Sequence, residues 1–146
     1  MVNQKTRRKT KSQKGGSLNV NLQITPIKKI YTKNQFETSG IPIVKWDTKN
    51  QYYTLLCVDP DSLEPAWLHW LVVNCKGGDP STGTTLTPWE PPTPSTGIHG
   101  YFFNLYAHKS LLALDAPTTR SGFDTNKFVS ENGLKLVGQF TTRVKA

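Results

Sequence analysis

The apolar residues of this chain fall in short runs divided by turn residues, and their spacing within the runs is that of strands. Ser17 to Thr25 alternates, with Leu18, Val20, Leu22 and Ile24 on one face and Asn19, Asn21 and Gln23 on the other, the pattern of a half-buried strand. Pro26 ends it, and 28–32 can add a short strand. Thr38 to Asp47 carries Ile41-Pro42-Ile43-Val44, where Pro42 predicts an edge or bulged strand because proline cannot donate to a ladder. Tyr53–Val58 and Trp67–Val73 are continuously apolar, which predicts two strands buried on both faces. From 97 to 106 residues two apart share a face, so His99, Tyr101, Phe103 and Leu105 point one way. Leu134 to Val144 reads as a closing strand. One short helix is expected before it: Asp124 can cap it, Phe123 can pack on Phe128, and Gly133 can end it. The stretch 76–96 is mostly Gly and Pro and is expected to be a long loop, a feature that in compact domains usually serves function.

Composition narrows this picture. The 146 residues suffice for one domain with a core, and 11 glycines with 10 prolines suit a loop-rich β protein better than a helical bundle. No apolar run approaches the ~20 residues of a membrane-spanning helix, and the basic N-terminus has no apolar segment behind it to make a secretory signal. A cytoplasmic location follows as the expectation, or a virion-associated one if the source is viral; a compact body behind a basic, glycine-ended tail is similar to proteins of large DNA viruses. Cys57 and Cys75 both sit in apolar runs and are expected to be buried free thiols. The net charge of +8 divides unevenly. Residues 1–16 hold Lys5, Arg7, Arg8, Lys9, Lys11 and Lys14 and no acid, whereas the body is nearly neutral. The division predicts a disordered basic tail over 1–16 and a single domain over 17–146. Such a tail either contacts nucleic acid or anionic lipid or merely solubilises.

The chemistry-bearing residues gather at the ends of the predicted strands. Asp59-Pro60-Asp61 closes the first core strand, Trp67 and His69 open the second, and His99 and Tyr101 follow the proline loop with its Trp89, Pro91 and Pro92. If the core strands lie side by side, a pair of carboxylates and a histidine meet at one end of a sheet. Each residue also has a bland explanation: aspartates cap turns, a lone histidine is usually a satisfied core residue, and tryptophan is usually core. There is no G-x-S-x-G elbow, H-E-x-x-H, C-x-x-C or phosphate-cradling glycine loop. Neither a metal nor a cofactor is expected.

The stretches Tyr53-Thr54-Leu55, Asp59-Pro60-Asp61, Trp67-Leu68-His69-Trp70-Leu71-Val72-Val73-Asn74, Pro91-Pro92 and Gly97-Ile98-His99-Gly100-Tyr101 resemble the phosphatidylethanolamine-binding protein family, over residues 18–146 in the same order. The resemblance implies a mainly β fold, an antiparallel β-sandwich with a short helix. Eukaryotic relatives continue into a C-terminal helix, which the expected architecture lacks because the sequence given stops at Ala146, after the closing strand. The resemblance further implies a small pocket for anions such as the phosphate of a phosphoethanolamine head group. Matching positions put Asp59, His69, Pro91, Pro92, His99 and Tyr101 around it, Trp67 on its wall, and Pro60, Asp61 and Gly97 in supporting motif positions. It implies binding, not catalysis, so the chain is not expected to be an enzyme.

One departure matters: where the family motif has an arginine after the second histidine, this chain has Gly100. Asp61 is then expected either to be solvated or to find another base, Arg120 or Lys76. Two carboxylates beside a phosphate favour a zwitterionic ligand over bare phosphate, unless Asp59 is neutral or engaged by loop backbone. Both histidines are expected to reach one anion from neighbouring strands. The alternative reading is a protein-interaction inhibitor of a kinase or protease, acting through the proline-rich loops with Trp89 as a rigid contact.

Overall fold

In the computed structural model, residues 21–25, 30–32, 40–62, 66–92, 94 and 96–146 are described. The basic tail and the first positions of the predicted first strand, 17–20, lie outside them, as do 28–29 of the second. Among these residues the strands are β1 (Gln23–Thr25), β2 (Ile30–Thr32), β3 (Ile43–Lys45), β4 (Tyr52–Asp59), β5 (Trp67–Cys75), β6 (Thr84–Thr87), β7 (Ile98–His108) and β8 (Lys135–Lys145), and the α-helix described is α1 (Thr125–Glu131). β1 and β3 form a two-stranded antiparallel sheet, and the other six strands form a sheet in the order β2-β8-β7-β4-β5-β6. Every pairing in it is antiparallel except that of β2 with β8, which is parallel.

The two apolar runs make the centre of the large sheet because neither face of it meets water. Along β4, Tyr53, Leu55 and Cys57 pack on one side with Trp70, Val72, Phe103 and Leu105, where Ile24, Val44 and Trp46 of the small-sheet region cover them. Leu56 and Val58 face the other side with Leu68, Leu71, Val73 and Tyr106, covered by Phe123, Phe128 and Val129 from α1 and the turn before it. The period of two thus sorts one strand into two cores. Cys57 and Cys75 are free and buried; burial, then the Asp59 carboxylate, pushes the Cys57 thiol well above its ordinary range, and burial carries Cys75 up to about 12.

The helix forms as its signals predict. The Asp124 side chain accepts from Lys127 N at 3.0 Å, and Phe123 packs on Phe128 with ring centroids 5.4 Å apart. Gly133 takes φ +59, and Leu134 N reaches back to Val129 O at 3.1 Å to close the last turn. In the predicted loop 76–96, by contrast, a single 3-10 turn (Pro80–Thr82) leads into β6, a strand at the sheet edge that the glycines and prolines around it conceal. Three threonines in four residues supply its β-propensity. Asn74 stands at φ +61, a left-handed conformation that asparagine tolerates better than most residues. Its amide clamps the backbone of Leu112 from both sides, accepting from Leu112 N at 2.8 Å and donating to Leu112 O at 2.9 Å.

Candidate functional site

Antiparallel pairing decides which strand ends meet. Asp59, the last residue of β4, pairs with Trp67, the first of β5, and Val58 pairs with Phe102 of β7. Asp59, Trp67, His69, His99 and Tyr101 therefore converge at one end of the large sheet. His69 and His99 do not sit on neighbouring strands, since β4 runs between β5 and β7. They flank Tyr101 instead, with ring centroids 5.1 Å and 6.4 Å from it.

Asp59 is the hub. It is 3% exposed, and each of its two oxygens takes a donor. Asp61 N donates to Oδ1 at 2.8 Å, the two-residue turn that aspartate commonly makes. His99 Nδ1 donates to Oδ2 at 2.7 Å, and the Tyr101 hydroxyl lies close enough to feel this charge. Burial first, and the Asp59 charge next, push the Tyr101 hydroxyl far above its ordinary range, so it stays an O–H donor. The Asp59 carboxylate is thus engaged by loop backbone, one of the two states expected of it. His99, with 19% of its side chain exposed, keeps Nε2 as its outward ring nitrogen.

Of the two states expected of Asp61, the structure shows the exposed one and not a replacement by Arg120 or Lys76. The Asp61 Oδ2 accepts from Gly100 N at 2.9 Å, and the side chain is otherwise exposed. A Cβ at residue 100 would stand 3.3 Å from that oxygen, so glycine gives the carboxylate close access to the backbone donor. Lys76 follows Cys75 at the opposite end of the sheet. Arg120 is committed elsewhere: Nη1 donates to Leu68 O at 3.1 Å and His69 O at 3.2 Å, and Nη2 to Pro88 O at 2.9 Å.

The second half of the site hangs on Glu90, which the sequence reading passed over. Its backbone N–H donates to His69 O at 2.9 Å, and its carbonyl accepts from His69 Nδ1 at 2.7 Å. Its side chain accepts from Trp67 Nε1 at 2.8 Å and faces Arg120 Nε at 3.7 Å. A carbonyl can only accept, so the Nδ1 proton of His69 is fixed. Burial pushes the His69 imidazole below its ordinary range, an effect the Glu90 carbonyl partly offsets. The ring is then neutral and offers Nε2 as an acceptor. The two histidines, both expected to reach one anion, have different partners: Nδ1 of His69 is held by a backbone carbonyl and Nδ1 of His99 by a carboxylate. The only advance signal for Glu90 was its place, an acid directly before Pro91-Pro92 in a loop with no other carboxylate between Asp79 and the second histidine.

Pro91 is half-buried and Pro92 buried, directly after the Glu90 clasp. Pro60 lies exposed in the turn after β4, and Gly97 opens β7 at φ +67, its carbonyl accepting from Ala146 N at 2.9 Å. Trp89, the expected rigid contact, is half-buried. It packs on Trp70 and Phe103 at 5.5 Å and 6.0 Å. Among the described residues no group of three or more His, Cys, Asp or Glu is arranged to hold a metal, and no helix is long and apolar enough to cross a membrane.

Fold and cluster together define a mainly β protein with a buried aspartate, two unlike histidines and a tyrosine at one end of its large sheet. A model of the phosphatidylethanolamine-binding protein family matches residues 9–141, and the chain belongs to that family. Among curated proteins it is 38% identical over 98 residues to the protein MOTHER of FT and TFL1 homolog 2 of Oryza sativa subsp. japonica, covering 60% of this chain and 56% of that one. It is 35% identical over 116 residues to a 26 kDa secreted antigen of Toxocara canis, covering 67% and 44%. The chain thus spans about half the length of these relatives. Among solved structures, a carboxypeptidase Y inhibitor complexed with the cognate proteinase superposes with a TM-score of 0.70 at 17% identity, over 81% of this chain and 76% of that one. The phosphatidylethanolamine-binding protein from Plasmodium vivax gives 0.68 at 21%, over 88% and 86%. These two likenesses establish the fold.

Proposed function

We propose that the chain is a non-enzymatic binding protein that takes the head group of a zwitterionic phosphate ester at the Asp59 cluster. The observation that carries this is the pairing of His99 Nδ1 with the buried Asp59 carboxylate, with the Tyr101 ring stacked beside His99. That pairing holds the His99 ring with Nε2 outward, where a protonated imidazole meets a phosphate with a charge-assisted hydrogen bond. Asp59 and Asp61 set the rest of the specificity. Their charges oppose a bare anion, while the exposed Asp61 carboxylate suits an ammonium group. Trp67, fixed by Glu90, and Pro91-Pro92 form the walls in this reading. The solved inhibitor bound to its proteinase supports a protein-binding use of the fold, for which the half-buried Trp89 would be the anchor.

Calorimetric titration with glycerophosphoethanolamine and with dimethyl phosphate tests the reading, because both are monoanionic diesters and only the first carries an ammonium. The expected result is tighter binding of the zwitterion. Its affinity should fall as pH rises, since the contact favours the protonated ring. His99→Ala should weaken it about tenfold or more, the worth of a charge-assisted hydrogen bond. Equal affinity for both diesters, or a His99→Ala protein that binds normally but melts earlier, would overturn it.

A further inference from the structure

The opposite end of the large sheet carries a second feature, of opposite charge. β4 begins there at Tyr52, β5 ends at Cys75 and β7 ends at His108. A cleft of about 460 Å³ opens among Lys49, Asn50, Gln51, Tyr52, Lys76 and Lys109. Beside it, sharing Gln51 and Lys109, a cleft of about 430 Å³ runs past His108, Leu112 and Asn132 to Lys135. Four lysines from four separate segments line this pair of clefts, and among the described residues no carboxylate does. Asp47, Asp79 and Glu131 lie on adjoining segments, but the Asp79 carboxylate turns to Ser81 N. Among the described residues none of the four lysines has an ion-pair partner.

The wall between the clefts is fixed. Lys49 N donates to the Tyr53 hydroxyl at 2.8 Å, which sets the turn that presents Lys49. His108 is held by Thr54 Oγ1 at 2.8 Å and Ser110 O at 2.9 Å, and its ring stacks on Tyr52 with centroids 6.0 Å apart. Like charges gathered in a concavity without counter-charges repel one another and focus a positive field into it. Both volumes fall in the range of small-ligand sites and are concave, which suits a compact ligand better than the convex backbone of a duplex.

We propose that these paired clefts are a second ligand site, separate from the Asp59 cluster, for a compact molecule with two or more phosphate groups. The first cleft takes one phosphate between Lys49, Lys76 and Lys109. The second takes a further phosphate between Lys109 and Lys135, with the ligand body against Leu112. Such chemistry is offered by a soluble polyphosphorylated ring or by the head group of a polyphosphorylated lipid.

The test uses the full chain, basic tail included. Inositol hexakisphosphate is titrated calorimetrically at near-physiological salt into wild type, Lys49→Gln/Lys76→Gln/Lys109→Gln, the charge-matched tail variant Lys5→Gln/Lys9→Gln/Lys11→Gln, and His99→Ala. The cleft variant should lose about tenfold or more in affinity, while the tail variant and His99→Ala stay within about twofold. The lysines are exposed, so the cleft variant should melt as wild type does. Co-sedimentation with vesicles containing phosphatidylinositol 4,5-bisphosphate, against vesicles of equal charge made with phosphatidylserine, identifies the source: preference for the former points to a lipid head group, and its absence alongside tight soluble binding points to a free ligand. The proposal is overturned if the tail variant loses as much as the cleft variant, if both vesicles bind equally and the soluble ligand does not bind, or if His99→Ala abolishes binding. Failure of diester binding at the Asp59 cluster leaves these outcomes unaffected, so the two readings fall separately.

Discussion

Gly100 and His69 are the residues at which this chain sets its own chemistry. Gly100 leaves Asp61 with a backbone partner where a guanidinium would neutralise it. Gly100→Arg should therefore pair with Asp61 and raise affinity for dimethyl phosphate several-fold, because the exposed carboxylate can yield to the new Cβ. A titration showing no gain would mean that the Asp61 charge is not felt by the ligand. His69 makes a prediction about pH. Burial lowers its imidazole below the ordinary range, and the same holds for His108. Above ~6.5 both rings are neutral in the folded and the unfolded chain. Below that value the unfolded chain takes up protons that the folded one refuses, so stability falls with pH until the folded rings protonate in turn. Urea midpoints measured from pH 7.5 down to pH 5 should decline, and His69→Gln with His108→Gln should flatten the decline.

At the level of elements, the end of β5 depends on one side chain. Asn74 makes both bonds to Leu112 from a left-handed backbone, joining the sheet to the 109–123 segment that leads to α1. Asn74→Ala loses both bonds and places a less suitable residue at φ +61. The expected loss is about 2–3 kcal/mol in chemical denaturation. Asn74→Gly, which relieves the backbone but not the bonds, should lose less than alanine. If the two match, backbone conformation contributes nothing at this turn. The α1 cap is a smaller matter: Asp124→Ala should cost about 1 kcal/mol.

Across the whole molecule, Arg120 ties together segments far apart in sequence. Its guanidinium serves the carbonyls of Leu68, His69 and Pro88 and faces the Glu90 carboxylate, while its own carbonyl accepts from Leu68 N at 2.8 Å. Arg120→Ala strands several acceptors and should destabilise by about 2–3 kcal/mol. Arg120→Lys should rescue little of this, since one ammonium cannot match the planar fork. Because Glu90 fixes the tautomer of His69, the same variants should also loosen ligand binding at the Asp59 cluster. Retained affinity in a destabilised Arg120→Ala protein would restrict the clasp to stability. The two ends of the sheet differ in kind: one gathers carboxylates and two imidazoles, the other four lysines around His108.

The sequence by itself determined the strands whose signal is local. The unbroken apolar runs of β4 and β5, the alternation of β7 and the cap, staple and glycine of α1 depend on neighbours a few residues away, and all formed where expected. It also determined which residues gather at one sheet end, since adjacent antiparallel strands bring the end of one to the start of the next. Tertiary structure decided the rest. Four residues of β6 carry too little periodicity to stand out among prolines, and their pairing with β5 makes them a strand. The order β7-β4-β5 separates the histidines by a strand. Where a charged side chain finds its partner depends on carbonyls and carboxylates that the chain brings together only on folding: Asp61 on Gly100 N, Arg120 on three carbonyls, His69 on Glu90. Such partners leave no periodic trace, because a hydrogen bond between residues twenty or fifty positions apart imposes no pattern on the sequence between them.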